Sequence, residues 1–177
     1  MTRRGWLLAA LVGAAATGLG AWLSARRLAP AAVPDEAAET LFTHTFPDPD
    51  GTPQALDQWR GKLLVVNFWA TWCPPCVEEM PDLQAVRDTY RGRGVEIVGI
   101  GIDNADKIRA FRDRLGLQLP LLVAGAGGSQ LGQALGNRAG VLPYTALIDR
   151  SGRVVQRKVG QIKPAELQQW LDAQLGG

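Results

Sequence analysis

The run Leu63-Leu64-Val65-Val66-Asn67-Phe68-Trp69-Ala70 is almost continuously apolar and of strand length, and it delivers the chain directly to Trp72-Cys73-Pro74-Pro75-Cys76. An uninterrupted apolar strand, with no polar residue at every second place, is what a sheet covered on both faces requires. The segment after it, Pro75 to Arg91, places Val77, Met80, Leu83 and Tyr90 at helical spacing, with Pro81 predicting a kink. A buried strand that turns into a helix at a pair of cysteines restricts the chain to a layered α/β arrangement with those cysteines at the helix N-terminus.

The remaining pattern extends that arrangement. Leu41 to Phe46, the turn cluster Pro47-Asp48-Pro49-Asp50-Gly51-Thr52-Pro53 and Gln54 to Leu56 predict a leading hairpin. Val95 to Ile102 reads as a second buried strand. Asp106 to Leu115, with Ile108, Phe111 and Leu115 on one face, reads as a crossover helix. Leu119 to Val123 predicts a short strand, and Ser129 a cap for a short helix through Leu135. Tyr144 to Asp149, the turn Arg150-Ser151-Gly152 and Arg153 to Val159 form a hairpin. Pro164 to Leu175 closes the chain as a helix with proline at N1, Glu166 near N3, and Leu167, Trp170 and Leu171 facing inward. No internal repeat is present.

A chain of 177 residues holds one ordinary domain and a short appendage. The appendage is N-terminal. Gly5 to Ala25 carries no charge, is long enough for the ~30 Å hydrocarbon core at ~1.5 Å per residue, and has Trp6 and Trp22 near its ends. It reads as an uncleaved anchor. The rival is a cleaved signal peptide, for which Ala29-Pro30-Ala31 is a weak cleavage site, and Arg3-Arg4 also has a twin-arginine look. Arginine pairs flank both ends, so charge alone leaves the orientation tied. Arg26 to Thr40, rich in Ala, Pro and acids without apolar period, reads as a linker. Without Arg3, Arg4, Arg26 and Arg27 the 19 basic residues fall to 15 against 17 acidic ones. The body thus has no basic stripe with which to bind nucleic acid.

Only two cysteines occur, three positions apart, so they staple no wider framework, and so short a loop adds little stability through chain entropy. They read as chemistry. A zinc ribbon would need about four ligands, whereas two Cys and the lone His44 are on offer. Disulfide exchange needs one thiolate exposed enough to attack and a second thiol near enough to resolve the mixed disulfide. Cys73 at the helix start feels the positive end of the macrodipole and suits attack; Cys76, one turn in, suits resolution. Pro74 and Pro75 carry no N–H, so the Cys73 thiolate loses donors that other residues would supply, and the couple is expected to be reducing. Glu79, three residues after Cys76, is placed to move the proton of the less exposed thiol, or is a first-turn acid like Glu78. Pro143 opens a strand in Gly140-Val141-Leu142-Pro143-Tyr144-Thr145, and beside such a cysteine pair it predicts a cis bond that presents the backbone for pairing with an extended substrate.

Val66-Asn67-Phe68-Trp69-Ala70-Thr71-Trp72-Cys73-Pro74-Pro75-Cys76, with the Asp50-Gly51 turn, Gly61-Lys62, Glu79, Pro81 and Pro143-x-Thr145, resembles the TlpA/ResA-like branch of the thioredoxin superfamily over residues 41–177. The resemblance implies a thioredoxin fold, a central mixed sheet flanked by helices with an N-terminal hairpin, behind an anchor at 1–27 and a linker at 28–40. It implies a protein-disulfide reductase without cofactor or metal. The enzyme would be single-pass in the cytoplasmic membrane and face the periplasm or cell exterior, recharged by a membrane thiol-electron carrier. Its partners would be disulfide-bearing proteins of cytochrome c maturation or metal-centre assembly. In that frame Cys73 is the nucleophile, Cys76 the resolver, Glu79 the active-site acid and Pro143 the cis proline, with Trp72, Pro74, Pro75, Leu142 and Pro143 meeting substrate. Asn67 stands where cytosolic thioredoxins have a buried aspartate, so that acid is unavailable. Ala146 and Leu147 stand where the branch more often has an aromatic. A disulfide oxidase of the same fold and a copper chaperone are the alternatives; the chaperone would want a further soft or imidazole ligand, whereas His44 reads as a surface or turn residue of the leading hairpin and Met80 as buried on the helix. A peroxidase reading lacks the Thr or Ser it would need three residues before a cysteine.

Overall fold

The computed structural model describes residues 35–176. The expected anchor and most of the expected linker lie outside them. Among the described residues no helix is long and apolar enough to cross a membrane.

The helical and extended elements are α1 (Asp35–Phe42), β1 (Thr45–Pro47), β2 (Pro53–Ala55), a 3-10 turn at Leu56–Trp59, β3 (Leu63–Trp69), α2 (Pro74–Tyr90), a 3-10 turn at Arg91–Arg93, β4 (Val95–Gly101), α3 (Ala105–Leu115), β5 (Leu121–Val123), α4 (Gly125–Ala134), β6 (Tyr144–Ile148), β7 (Val154–Val159) and α5 (Pro164–Leu175). β1 and β2 form an antiparallel pair, and the other strands make one sheet in the order β5-β4-β3-β6-β7. β3 runs parallel to β4 and antiparallel to β6, so the sheet is mixed.

β3 is buried at every position, as its unbroken apolar run requires. Its side chains alternate between two cores. Leu63, Val65 and Trp69 enter one core with Met80, Leu83 and Val86 of α2, Ile108 and Phe111 of α3, and Leu167 and Leu171 of α5. Leu64, Val66 and Phe68 enter the other with Leu41 and Phe42 of α1, Leu56 and Trp59 of the 3-10 turn, and Leu131 of α4. The sheet is therefore the middle of three layers, and both cysteines lie in the first core.

Three local expectations are corrected. The stretch read as linker running into a strand at Leu41 contains α1, because Ala38, Leu41 and Phe42 recur at helical spacing and are buried, the last two in the second core. Ser129 does not cap a helix: α4 begins at Gly125 and Ser129 lies inside it. Its small residues let the helix approach the sheet closely, since a Cβ on Gly128 would lie 3.0 Å from the Ala124 Cβ and 3.2 Å from Ile102. Leu115, expected on the inner face of α3, is 42% exposed in the last turn, while Ile108 and Phe111 are buried.

β4 carries glycine at two positions on the face that meets α2 and α3. A Cβ on Gly101 would stand 2.3 Å from the Ile108 Cδ1 and 3.2 Å from the Leu122 carbonyl oxygen. Overpacking of this kind costs about 1–3 kcal/mol. Gly101→Ala is expected to lower unfolding stability by that amount in urea titration, and Ile108→Val on the Gly101→Ala background to recover part of it.

Candidate active site

The junction of β3 and α2 builds the site. β3 ends at Trp69, whose carbonyl accepts the Ile102 N–H at 2.8 Å, and the chain turns through Ala70, whose carbonyl accepts the Cys73 N–H at 3.2 Å. Cys73 is the N-cap of α2 with extended backbone, and Pro74 and Pro75 occupy the first turn, where a missing N–H breaks no helical bond. Cys73 and Cys76 are joined by a disulfide, with 5.3 Å between their Cα atoms. Cys73 is 5% exposed and Cys76 is fully buried, so the N-terminal cysteine is the more exposed of the two.

The turn is also held from the side. The Thr71 hydroxyl donates to Asp103, which follows β4, and Asp103 further accepts from the Asn104 N–H at 2.8 Å and lies 3.4 Å from the Lys107 ammonium. Burial alone would raise the Asp103 carboxyl, but the Thr71 and Asn104 donors and the Lys107 charge bring it below the ordinary carboxylate range.

The residues beside the cysteines in the chain, Trp72, Pro74 and Pro75, are apolar. Trp72 is 63% exposed and Val141 43%, unusual for side chains of that kind. Pro74 is exposed, Pro75 and Leu142 are half-buried, and Leu142 packs on the core that contains both cysteines. The Leu142–Pro143 peptide is cis, as expected, and the buried Pro143 accepts the Gly160 N–H on its carbonyl at 2.8 Å.

Glu79 is fully buried on α2, one turn beyond Cys76. Its Oε1 accepts from Asn67 Nδ2 of β3 at 2.7 Å, and its Oε2 accepts from the backbone N–H of Ile162, ahead of α5, at 2.9 Å. Asn67 Nδ2 also donates to the Thr145 hydroxyl of β6, its cross-strand neighbour, at 3.0 Å. Burial pushes the Glu79 carboxyl up to about 7; the two donors and the Lys163 charge pull it down, and Asp82 adds to the rise. A carboxyl that exchanges its proton near neutrality is matched to thiol chemistry at neutral pH, which sets Glu79 apart from the exposed Glu78.

Sequence reasoning does not reach Asn67, Thr145 and Ile162 as partners of the acid. The available signal is Asn67 itself, one polar residue in an otherwise apolar strand. His44, weighed as a metal ligand, lies beyond α1 with Nδ1 2.7 Å from the Thr40 carbonyl oxygen and its ring stacked on Phe46. Met80 is buried in the first core. Among the described residues no group of three or more His, Cys, Asp or Glu is placed to hold a metal ion.

A mixed sheet between helical layers, with a disulfide at the start of the helix that follows its central strand and a cis proline opening the antiparallel neighbour, defines a thioredoxin-fold redox protein. Known proteins agree with that class. The family model described as Redoxin matches residues 29–172. The thiol-disulfide oxidoreductase ResA of Bacillus thuringiensis (strain Al Hakam) is 33% identical over 127 residues, covering 70% of each chain. ResA of Geobacillus thermodenitrificans is 33% identical over 127 residues, covering 71% of each. A thioredoxin-family thiol:disulfide interchange protein from Chlorobium tepidum TLS superposes with a TM-score of 0.65 at 30% identity, covering 75% of this chain and 93% of that one. The chain belongs to the Redoxin family and, within it, to the TlpA/ResA-like thiol-disulfide oxidoreductases.

The raised Glu79 carboxyl has a consequence for stability. In the unfolded chain Glu79 loses its proton near the ordinary 4.5, whereas in the folded chain it does so at about 7. Between those values the folded state binds more protons, so stability falls as pH rises. Glu79→Gln, neutral throughout, is expected to be more stable than the wild type above pH 7.5, by on the order of 3 kcal/mol at about 1.4 kcal/mol per pH unit. The gap should close as pH falls towards 4.5. Urea unfolding of the oxidised proteins across that range measures it.

Proposed function

We propose that the protein is a disulfide reductase: reduced Cys73 attacks a disulfide of a client protein, Cys76 resolves the mixed disulfide, and the enzyme is left oxidised. The observation that carries the direction of electron flow is the pair of prolines in the first turn of α2. A helix N-terminus offers its unpaired N–H groups to an anion. Here the first two positions after Cys73 are Pro74 and Pro75, and only the Cys76 N–H of that turn remains. A poorly stabilised thiolate raises the free energy of the reduced form, and the couple then gives up electrons readily.

Exposed Trp72 and Val141, with Pro74 and half-buried Leu142, form an apolar rim suited to an extended segment of an opened client, and the backbone about Pro143 suits pairing with it. The uncharged stretch from Gly5 to Ala25, with Trp6 and Trp22 near its ends, supports a single-pass tether in the cytoplasmic membrane. The catalytic domain then faces the periplasm or cell exterior, where client disulfides persist. A reductase on that side needs electrons delivered through the membrane by a thiol carrier. Resemblance to the TlpA/ResA-like branch makes apocytochromes c and metal-centre assembly proteins the leading clients.

The test is the reduction potential of the Cys73/Cys76 couple in a dithiothreitol buffer series. A value below about −200 mV is the expected result; one near the ~−120 mV of a strong oxidant makes the protein an oxidase. Pro74→Ala and Pro75→Ala each restore an N–H and are expected to raise the potential, by roughly 15–30 mV apiece. Trp72→Ala should leave the potential unchanged and raise KM several-fold for a protein disulfide, with little effect on a small disulfide.

A further inference from the structure

The Asn67 amide hydrogen-bonds both Glu79 and Thr145 of β6, and half of it is unpartnered. Nδ2 donates to Glu79 Oε1 and to Thr145 Oγ1, while Oδ1 is buried with no hydrogen-bond donor within reach among the described residues. Buried polar atoms are rarely left in that condition, because an unmade hydrogen bond costs about 1–3 kcal/mol.

The arrangement is matched to one charge state of the acid. Both groups that meet the Glu79 oxygens, Asn67 Nδ2–H and Ile162 N–H, are donors, which suits a carboxylate. Once the carboxyl takes up a proton, one of its oxygens becomes a donor, and neither neighbour as oriented can accept from it. The Ile162 N–H is fixed in the backbone. Asn67 can respond, because turning its side-chain amide by half a turn brings Oδ1 to the place of Nδ2. In that position Oδ1 has two lone pairs, one for the Glu79 hydroxyl and one for the Thr145 hydroxyl, which rotates from accepting to donating. As oriented, the Oδ1 end of the amide has no partner, so this orientation is not locked by a complete set of bonds.

We infer that Asn67 is a two-position switch, a positioning residue whose amide donates to ionised Glu79 and turns over to accept from protonated Glu79, reversing the hydrogen bond to Thr145 two residues beyond the cis proline. The step makes one O–H bond on Glu79 Oε1, with the proton taken from water or from a thiol of the site, and moves no electrons. It links the proton inventory of the buried acid to the strand that follows Pro143, and so to the segment about Leu142. The other groups facing Glu79 are Asp82 and Cys76 on its own helix and Lys163 beside Ile162. Asp82 and Lys163 set where Glu79 titrates, whereas the bond to Thr145 is made by Asn67.

The inference rests on Glu79 as the acid of the thiol chemistry and not on the direction of electron flow, so a potential that contradicts the reductase reading leaves it standing. It is tested on the full-length oxidised protein in mild detergent by NMR, following the Glu79 carboxyl carbon and the Asn67 Nδ2H2 group from pH 5 to 9. The expected result is that both titrate with one midpoint, and that the amide signals move upfield towards an unbonded position as Glu79 gains its proton. Glu79→Gln, with one donor and one acceptor end, mimics the protonated acid. It should hold the Asn67 signals at their low-pH position at every pH. Asn67→Leu should shift the Glu79 midpoint upward by about one pH unit, because the charged acid loses the stronger hydrogen bond. Asn67 signals that stay fixed while Glu79 titrates, or that keep their high-pH position in Glu79→Gln, overturn the switch.

Discussion

Glu79 is a carboxyl group placed where water does not reach, and the site is organised by how that burial is offset. The group sits on α2, fully buried beside the first core, and the protein compensates with one donor from β3 and one from the backbone ahead of α5. Those contacts draw together a helix, the central strand and the C-terminal segment, and the shared Asn67 amide adds β6. The balance is incomplete: burial outweighs the donors, and the carboxyl is held near neutrality instead of near its ordinary value. The fold sustains that incompleteness at some expense of stability above the ordinary carboxylate range.

The β3 to α2 junction is governed by different physics. Strand direction and helix start place Cys73 at a position with unpaired backbone donors, and Pro74 and Pro75 then withdraw two of them. The same prolines suit the first helical turn, so a chemical adjustment is made without disturbing the helix. Thr71 and Asp103 hold the turn from the side. Trp72 and Val141 leave large apolar side chains exposed to water.

Much of this is legible in the chain. The nearly all-apolar β3, the helical spacing in α2 and the proline at N1 of α5 are signals carried by short stretches, and they translate into elements with nearly the expected bounds. Two of the misreadings share a cause. In α1 and α4 the helical state is supported by tertiary packing: Leu41 and Phe42 lie in one core with the 3-10 turn, and glycine-rich α4 sits close against β3 and β4. A run such as Gly125-Ala126-Gly127-Gly128 has weak helical propensity by itself and reads as a loop.

The reacting pair, its place at a strand-to-helix turn, the shortage of donors beside Cys73 and the family can all be read along the chain, because each depends on neighbours a few positions apart. The character of Glu79 emerges only on folding. Its two oxygens are met by residues 12 and 83 positions away, and the amide that meets one of them is tied to a hydroxyl 78 positions from itself. Desolvation and hydrogen bonding act through space, and a titrating group takes its character from atoms that the folded chain brings together.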